Sequence, residues 1–546
     1  MSAILPSPVD DRRHSAGGRW SRELGYGLLA AASGAAMAAV FSPWHADALV
    51  YVALVPLAVI LVDRKSRWGV CAGAYLGGCA FHLVDLDWIR TAYGGAGLAG
   101  PMAPHWLAQA ALLGLSWPAL VAVGRCFVRT SGWPMTLALP VLWGGMELAR
   151  MKLWYLVDET GDPWSLLGYS QSEQQTLIQA ADVSGIIGVS MVVALVNGLA
   201  FDLGRFAWRR WHAEPARPPW ISLAAGVAML IAIAGYGTWR VKQQAASPGP
   251  TVCLMPRWHY LFAEPSLNDP TEMEKAGSHF VNRADERTDI LFWPEATLRI
   301  RDGHEANPHS PSDSPKILAL ERFARSAGAI LAIGCHLERP GGTTNSVIHI
   351  DPVIGYRGAY DKLRLVPFSE FQPPIGRCFG SGEDRYRRGT DWTVFELSTG
   401  ANCGKYRLAA TICYDAAFGE LYREFMRQPG GIDFFLLASS ETFDATGAAA
   451  ETMRRMTRVR AIETRRSIVR NATGGLSGVI DGNGQIVASP EVADFREPTY
   501  LGAIPLDERC SLFVLFGQWL PGVCCLVVAM VVARACYRAL RAASSV

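Results

Sequence analysis

The chain has 546 residues, 50% of them hydrophobic and only 18% charged, with a mean hydropathy of +0.15. A soluble protein of this size rarely averages above zero on that scale, so the apolar excess must be concentrated in segments, and a disordered chain is excluded. The 51 Lys and Arg against 49 Asp and Glu leave a net charge of +2, a field too weak to hold nucleic acid without a local patch, so no nucleic-acid partner is expected.

Seven apolar stretches precede residue 240, at 24–41, 46–62, 68–84, 105–124, 132–149, 183–201 and 220–239, and an eighth lies at 512–533. Each approaches the roughly 20 residues that cross a bilayer core of about 30 Å, and few soluble helices run so long without a charge. Eight transmembrane helices are therefore predicted. The small residues recurring in 30–39 and 73–78 let such helices pack closely as a bundle. Arg12, Arg13, Arg19 and Arg22 before the first stretch also suit a signal peptide. The length of the stretch and the apolar run that follows at once favour a first helix.

Orientation follows from the loop cations. One set of ends carries Arg12, Arg13, Arg19, Arg22, Arg64, Lys65, Arg67, Arg125, Arg129, Arg205, Arg209, Arg210, Arg217, Arg534, Arg538 and Arg541; the alternate set carries Arg90, Arg150 and Lys152. Sixteen against three puts the first set in the cytoplasm by the positive-inside rule. The expected organisation is a seven-helix membrane region over 1–239, an external domain over 240–511, and an eighth helix with a cytoplasmic tail over 512–546. The large domain then faces the periplasm or exterior.

Within 240–511, short apolar strands at 251–255, 289–293, 329–336, 346–350, 408–412, 433–438, 467–471 and 476–480 alternate with helical patterns at 270–284, 315–326, 416–428 and 448–464. This is an α/β pattern with a substantial sheet. Asp481-Gly482-Asn483-Gly484 reads as a hairpin turn. Residues 307–315, rich in Pro and Ser, read as a mobile loop. Of 12 cysteines, six (Cys253, Cys335, Cys378, Cys403, Cys413 and Cys510) belong to this segment. An oxidising compartment permits a Cys378–Cys403 bridge without establishing one. Scattered histidines and no CxxC give no metal site, and no cofactor is expected.

Three strand ends carry candidate chemistry. In Ile290-Leu291-Phe292-Trp293-Pro294-Glu295 a proline stops an apolar strand and Glu295 projects from the end of the sheet, where α/β sites tend to lie; taken alone, a helix-starting Glu is an equal reading. In Tyr360-Asp361-Lys362-Leu363-Arg364-Leu365-Val366-Pro367-Phe368-Ser369-Glu370-Phe371, Lys362 and Glu370 stand among apolar residues, which alone suggests no more than a surface ion pair. In Leu408-Ala409-Ala410-Thr411-Ile412-Cys413-Tyr414-Asp415 the order is strand, cysteine, helix. Cys413 then sits near a helix N-terminus, whose partial positive charge favours thiolate, although a buried inert cysteine is the commoner fate.

Together WPEAT, YDKLRLVPFSEF and TICYDAAFGEL resemble the glutamate, lysine and cysteine motifs of the nitrilase, or carbon–nitrogen hydrolase, superfamily, and the joint match is far more specific than any one segment. Seven helices before this domain and one after it narrow the resemblance to the apolipoprotein N-acyltransferase family. That resemblance implies a four-layer αββα nitrilase-like sandwich fused to an eight-helix transmembrane bundle. It implies Glu295 as general base, Lys362 as the cation beside the oxyanion, Cys413 as nucleophile and Glu370 as the partner of Lys362, with the backbone N–H near Tyr414 also serving the oxyanion. The implied reaction moves an acyl group from a membrane phospholipid through a Cys413 thioester to the α-amine of a diacylglyceryl apolipoprotein.

Three departures from the family pattern concern substrate preference. Residues 251–257 lack the Gln-x-Asn usual at the first strand's end, Ser439-Ser440-Glu441-Thr442-Phe443 stands where Asn-Asp-(Ala/Gly)-Trp is usual, and Asp415 replaces a common Glu. Aromatic segments 258–262 and 512–516 read as interfacial anchors or as an access path for lipid, anchoring being favoured. Arg454, Arg455, Arg458 and Arg460 read as a solvated face or a salt-bridge network rather than a lipid-phosphate contact. A membrane-tethered amidase, or an acyltransferase with another amine acceptor, would use the same three residues; a non-catalytic scaffold or transport component would lose nothing on Cys413→Ser.

Overall fold

In the computed structural model, residues 16–41, 46–62, 68–91, 99–243, 246–257, 271, 274–275, 288–301, 314–374, 384–398, 404–442, 447–490 and 496–544 are described. The sequence readings at 258–262, 307–313, Cys378 and Cys403 lie outside them, as does most of the helix expected at 270–284.

The first part is helical: α1 (Ala16–Val40), α2 (Val55–Val62), α3 (Trp68–Asp85), α4 (Asp87–Thr91), α5 (Ala99–Gly114), α6 (Ser116–Ser131), α7 (Met135–Asp158), α8 (Ala181–Trp211) and α9 (Trp220–Lys242). Among the described residues, Glu23–Val40, Pro104–Ser131, Ile178–Trp211, Trp220–Lys242 and, near the C-terminus, Trp519–Ser544 are long and apolar enough to cross a membrane. The other expected spans are less regular. Residues 46–62 form a 3-10 turn, Asp47–Tyr51, followed by the eight-residue α2. The stretch 512–533 is not one helix, because Gly517 at φ 64° separates α13 (Leu512–Phe516) from α14 (Trp519–Ser544).

Small residues bring α1 and α3 into backbone contact. A Cβ on Gly34 would lie 2.1 Å from the Gly77 carbonyl oxygen, and one on Gly73 would lie 2.2 Å from that of Gly27. Either substitution would push the helices apart, which is the packing the Gly/Ala pattern implies. Between α7 and α8, the irregular segment 159–180 is held by buried polar groups. Glu147 accepts from Trp143 Nε1 and from the Leu167 amide, both at 2.8 Å.

Two sheets follow. The first runs β13 (Thr499–Asp507), β1 (Ala246–Leu254), β2 (Ile290–Phe292), β4 (Ile330–Arg339), β5 (Gly342–Asp351), β6 (Gly355–Asp361), with β3 (Leu298–Arg301) also on β4. The second runs β12 (Ile486–Ala488), β11 (Gly478–Ile480), β10 (Ser467–Thr473), β9 (Phe434–Ser440), β8 (Lys405–Ile412), β7 (Val394–Ser398). Each has a parallel centre, β1–β2–β4 and β8–β9–β10, flanked by antiparallel strands.

In the first sheet, period-two alternation sends side chains of one strand to two different cores. Val252 and Leu254 of β1 join one cluster with Leu408, Ile412 and Leu436 of the second sheet. Cys253, Met255, Leu291 and Trp293 pack instead with Ile317, Leu320 and Phe323 of α10 (Pro315–Ala327). Helices α11 (Gly419–Met426) and α12 (Ala448–Thr464) contribute Leu421, Phe425, Met453 and Met456 to the first cluster. The hairpin read at residues 481–484 joins β11 to β12, with Ile480 opposite Ile486 and Gly484 at φ 75°. The helix expected over 416–428 is shorter: Cys413–Ala417 is a 3-10 turn, and α11 starts at Gly419.

Candidate active site

The three motif residues leave strand ends and meet between the sheets. Beyond β2, the Trp293 amide donates to Ala332 O and the Thr297 amide to Gly334 O, both at 2.8 Å, which fixes the Pro294-Glu295 turn against β4. A Cβ at Gly334 would lie 2.2 Å from Pro294 O, so the close approach requires glycine there. Lys362 follows β6, with its amide donating to Asn345 O at 2.8 Å. Cys413 follows β8 directly at φ 45°, a left-handed conformation that costs a non-glycine residue of order 1–3 kcal/mol and is characteristic of functional sites.

Lys362 Nζ lies 3.0 Å from Glu370 Oε1 and 3.4 Å from Glu295 Oε1. The Asn345 carboxamide donates to both carboxylates, at 2.7 Å to Glu295 and 3.0 Å to Glu370. The Val366 amide donates to the other Glu370 oxygen at 2.8 Å. All four side chains are buried. They line a cavity of about 210 Å³ together with Cys413, Tyr414, Trp88, Trp164, Ser440 and Met453.

Burial raises the Glu295 carboxyl above its ordinary value and the Glu370 charge adds to this, while Lys362 and Asn345 oppose it. Burial alone would lower the Lys362 ammonium, but the Glu370 and Glu295 carboxylates outweigh it and hold Lys362 well above its ordinary value. Burial, with the Glu295 charge, raises the Cys413 thiol. Cys413 opens a five-residue 3-10 turn rather than α11, so it lacks the helix N-terminus expected to favour thiolate, and burial first, then the Glu295 charge, favours the thiol. A buried thiol beside a carboxylate of raised basicity is suited to proton transfer from sulfur to Glu295.

Residues 33–199 match the apolipoprotein N-acyltransferase N-terminal domain and residues 262–509 match the carbon–nitrogen hydrolase domain. The chain belongs to the apolipoprotein N-acyltransferase family. It is similar to the apolipoprotein N-acyltransferase of Geobacter metallireducens, 26% identical over 535 residues covering 93% of this chain and 95% of the relative. The Pasteurella multocida protein of the same name is 24% identical over 516 residues, covering 90% and 92%. That of Shewanella oneidensis is 27% identical over 466 residues, covering 80% and 81%.

The residues at which this chain departs from the family's usual motifs have defined structural partners. Asp415 accepts from the Ile412 and Arg364 amides, both at 2.9 Å, and from the Tyr360 hydroxyl at 2.7 Å. It thus ties the cysteine turn to the lysine segment, while burial lifts its carboxyl to about 6. The Tyr414 ring stacks on Trp164 at 6.0 Å and meets Phe418 edge-on at 5.0 Å. Glu441 accepts from Ser439 Oγ at 2.9 Å and is ion-paired with the buried Arg470. Arg257 reaches the neighbouring strand end by donating to Thr473 Oγ1 at 3.3 Å.

Asn345 was not singled out from the sequence. A polar Asn in Thr343-Thr344-Asn345-Ser346, just before the apolar run Val347-Ile348, was the available signal. The basic helix α12 is a salt-bridge network rather than a solvated face: Arg454 and Arg458 pair with Glu173 at 2.7 and 2.6 Å, and Arg455 pairs with Glu451 at 2.7 Å. Among the described residues no cluster of His, Cys, Asp and Glu is placed to hold a metal ion.

Proposed function

We propose that this chain moves a fatty acyl group from a phospholipid, through a Cys413 thioester, to the α-amine of a diacylglyceryl-cysteine at a lipoprotein N-terminus. Glu295 takes the thiol proton as Cys413 Sγ attacks the ester carbonyl. Lys362 faces the tetrahedral oxyanion, with the backbone N–H near Tyr414 beside it. Collapse expels the lysophospholipid oxygen, which takes the proton back from Glu295. The amine then attacks the thioester, Glu295 accepts its proton, and collapse leaves the amide and returns the proton to sulfur. Glu370 and Asn345 hold Lys362 and Glu295 in position.

The observation that carries this reading is the setting of the cavity. A second, mostly apolar cavity lined by Ile89 of α4, Ala108 and Leu112 of α5 and Trp154 of α7 shares Trp88, Trp164, Val366 and Tyr414 with the one containing Cys413. An acyl chain reaching sulfur by this path stays among apolar residues and avoids about 0.8 kcal/mol for each CH₂ exposed to water. A water-soluble amide needs no such wall, which disfavours the amidase reading. The reading includes a four-layer αββα sandwich, eight crossings, and a catalytic domain on the periplasmic face of the inner membrane, supported by the cation distribution and by the packing of α10 and of α11–α12 on the two sheets.

Intact-protein mass spectrometry tests this. After incubation with phosphatidylethanolamine the protein is expected to gain one acyl mass and lose it to an added diacylglyceryl peptide, whereas Cys413→Ser gains none. A protein that never gains acyl mass, or whose acyl group appears only as free fatty acid, overturns the proposal.

A further inference from the structure

A third cavity, of about 280 Å³, lies where the end of α7, the turn after Cys413 and the start of α14 come together. Its lining differs in kind from the other two. Lys152, Arg364 and Arg460 face it, against a single carboxylate, Glu420, which is turned toward Arg423 at 3.2 Å. Arg364 lies over the Phe418 ring at 5.4 Å, and among the described residues neither it nor Lys152 has a carboxylate partner. Arg460 is only 1% exposed; its Nη2 is engaged with Glu463 at 3.2 Å, but its Nε has no partner. A buried guanidinium N–H without an acceptor, beside two further cations and a single carboxylate, fits an oxyanion.

The rim identifies what carries that anion. Close in sequence to the lining residues Lys152, Tyr155 and Gln518, Leu153 and Leu156 of α7 are 63% and 78% exposed, and Leu515 and Phe516 of α13 are 58% and 63% exposed. Apolar surface flanking a cationic cavity is matched by an amphiphile, with its phosphate inside and its chains along the rim. We propose that this cavity binds the phosphate of a membrane glycerophospholipid, separately from the pocket containing Cys413. The two cavities share no lining residue; Tyr414 lines one and Phe418 the other, with their rings in edge contact between them. Because Ala417, Phe418 and Gly419 line the site four to six residues beyond the cysteine, the bound phosphate clamps the turn that carries Cys413. This inference rests on the proposed placement of this face at the membrane surface.

Native mass spectrometry of full-length Cys413→Ala protein in detergent, with 1-palmitoyl-2-oleoyl-phosphatidylglycerol as probe, tests it apart from acyl transfer. The further double change Lys152→Ala/Arg364→Ala, on partly exposed residues, is expected to remove one retained phosphatidylglycerol per chain and to leave retention of dioleoylglycerol, which lacks phosphate, unchanged. Retention of the same number of phosphatidylglycerol molecules overturns the site, as does displacement of that one lipid by millimolar sodium phosphate, which would make free phosphate the ligand. The thioester assay on protein with Cys413 intact is read separately: thioester formation with unchanged lipid retention sinks only this inference, whereas loss of one lipid in a protein that never acylates sinks only the transfer reading.

Discussion

Two buried ion clusters in this molecule are built from the same kinds of group and differ in what surrounds them. Asp182 on α8 accepts from Arg240 Nε at 2.7 Å, Arg465 Nη2 at 2.6 Å and the Tyr236 hydroxyl at 2.6 Å, joining α8 and α9 to the segment after α12. Its acceptor positions are filled and none of the three cavities reaches it. Lys362, Glu295 and Glu370 are equally buried, but they border a cavity and share it with a cysteine in left-handed backbone. Buried charge by itself therefore marks no chemistry here. Charge beside open space and the proposed nucleophile is what the proposed chemistry rests on.

The comparison can be tested at both clusters. The largest effect is expected at the cleft, where Glu295→Gln keeps the shape and removes the proposed base. Thioester formation should fall roughly 10²–10⁴-fold. Because burial raises the Glu295 carboxyl, and only its ionised form accepts the thiol proton, the wild-type rate should climb as pH rises through a range above that of an ordinary carboxylate. The Gln variant should lack this limb; stopped-assay rates across pH would expose either failure. Next comes Asp182→Ala, which leaves two buried guanidinium groups without their carboxylate and should cost about 3–5 kcal/mol of stability, read by denaturant unfolding in detergent. Acylation per folded molecule should be unchanged, and a stable protein with defective acylation would reverse the assignment of the two clusters. The smallest effect is expected for Asn345→Ala: of the two hydrogen bonds it removes, the one to Glu295 is worth about 1.5 kcal/mol, or about tenfold in rate, with the pH limb shifted rather than abolished.

Legibility followed the range of the interactions involved. Strands β2, β4, β8, β9 and β10 were readable because central parallel strands are apolar on both faces and stand out as short runs. The helix over 448–464 was readable to its ends. Strands β3 and β13 were not, since Leu298–Arg301 alternates buried and exposed over only four residues and β13 is mostly half-exposed. At the site, Glu295 and Cys413 each follow a strand readable in the sequence, whereas β6 before Lys362 was not among the strands read, and Lys362 could be named only because its segment matches the lysine motif alongside the other two. Asn345 could not, because its importance depends on β5 lying opposite both β4 and β6.

The order of residues along the chain was enough to determine that apolar helices precede an α/β domain and that three particular side chains stand at strand ends, since periodicity and composition are local properties. Folding decided which of those ends face each other, that the Cys413 thiol is raised rather than lowered by its surroundings, and that three cations from distant segments surround a single space. Electrostatic fields and cavities are sums over neighbours in space, and those neighbours are assigned only when the sheets pack.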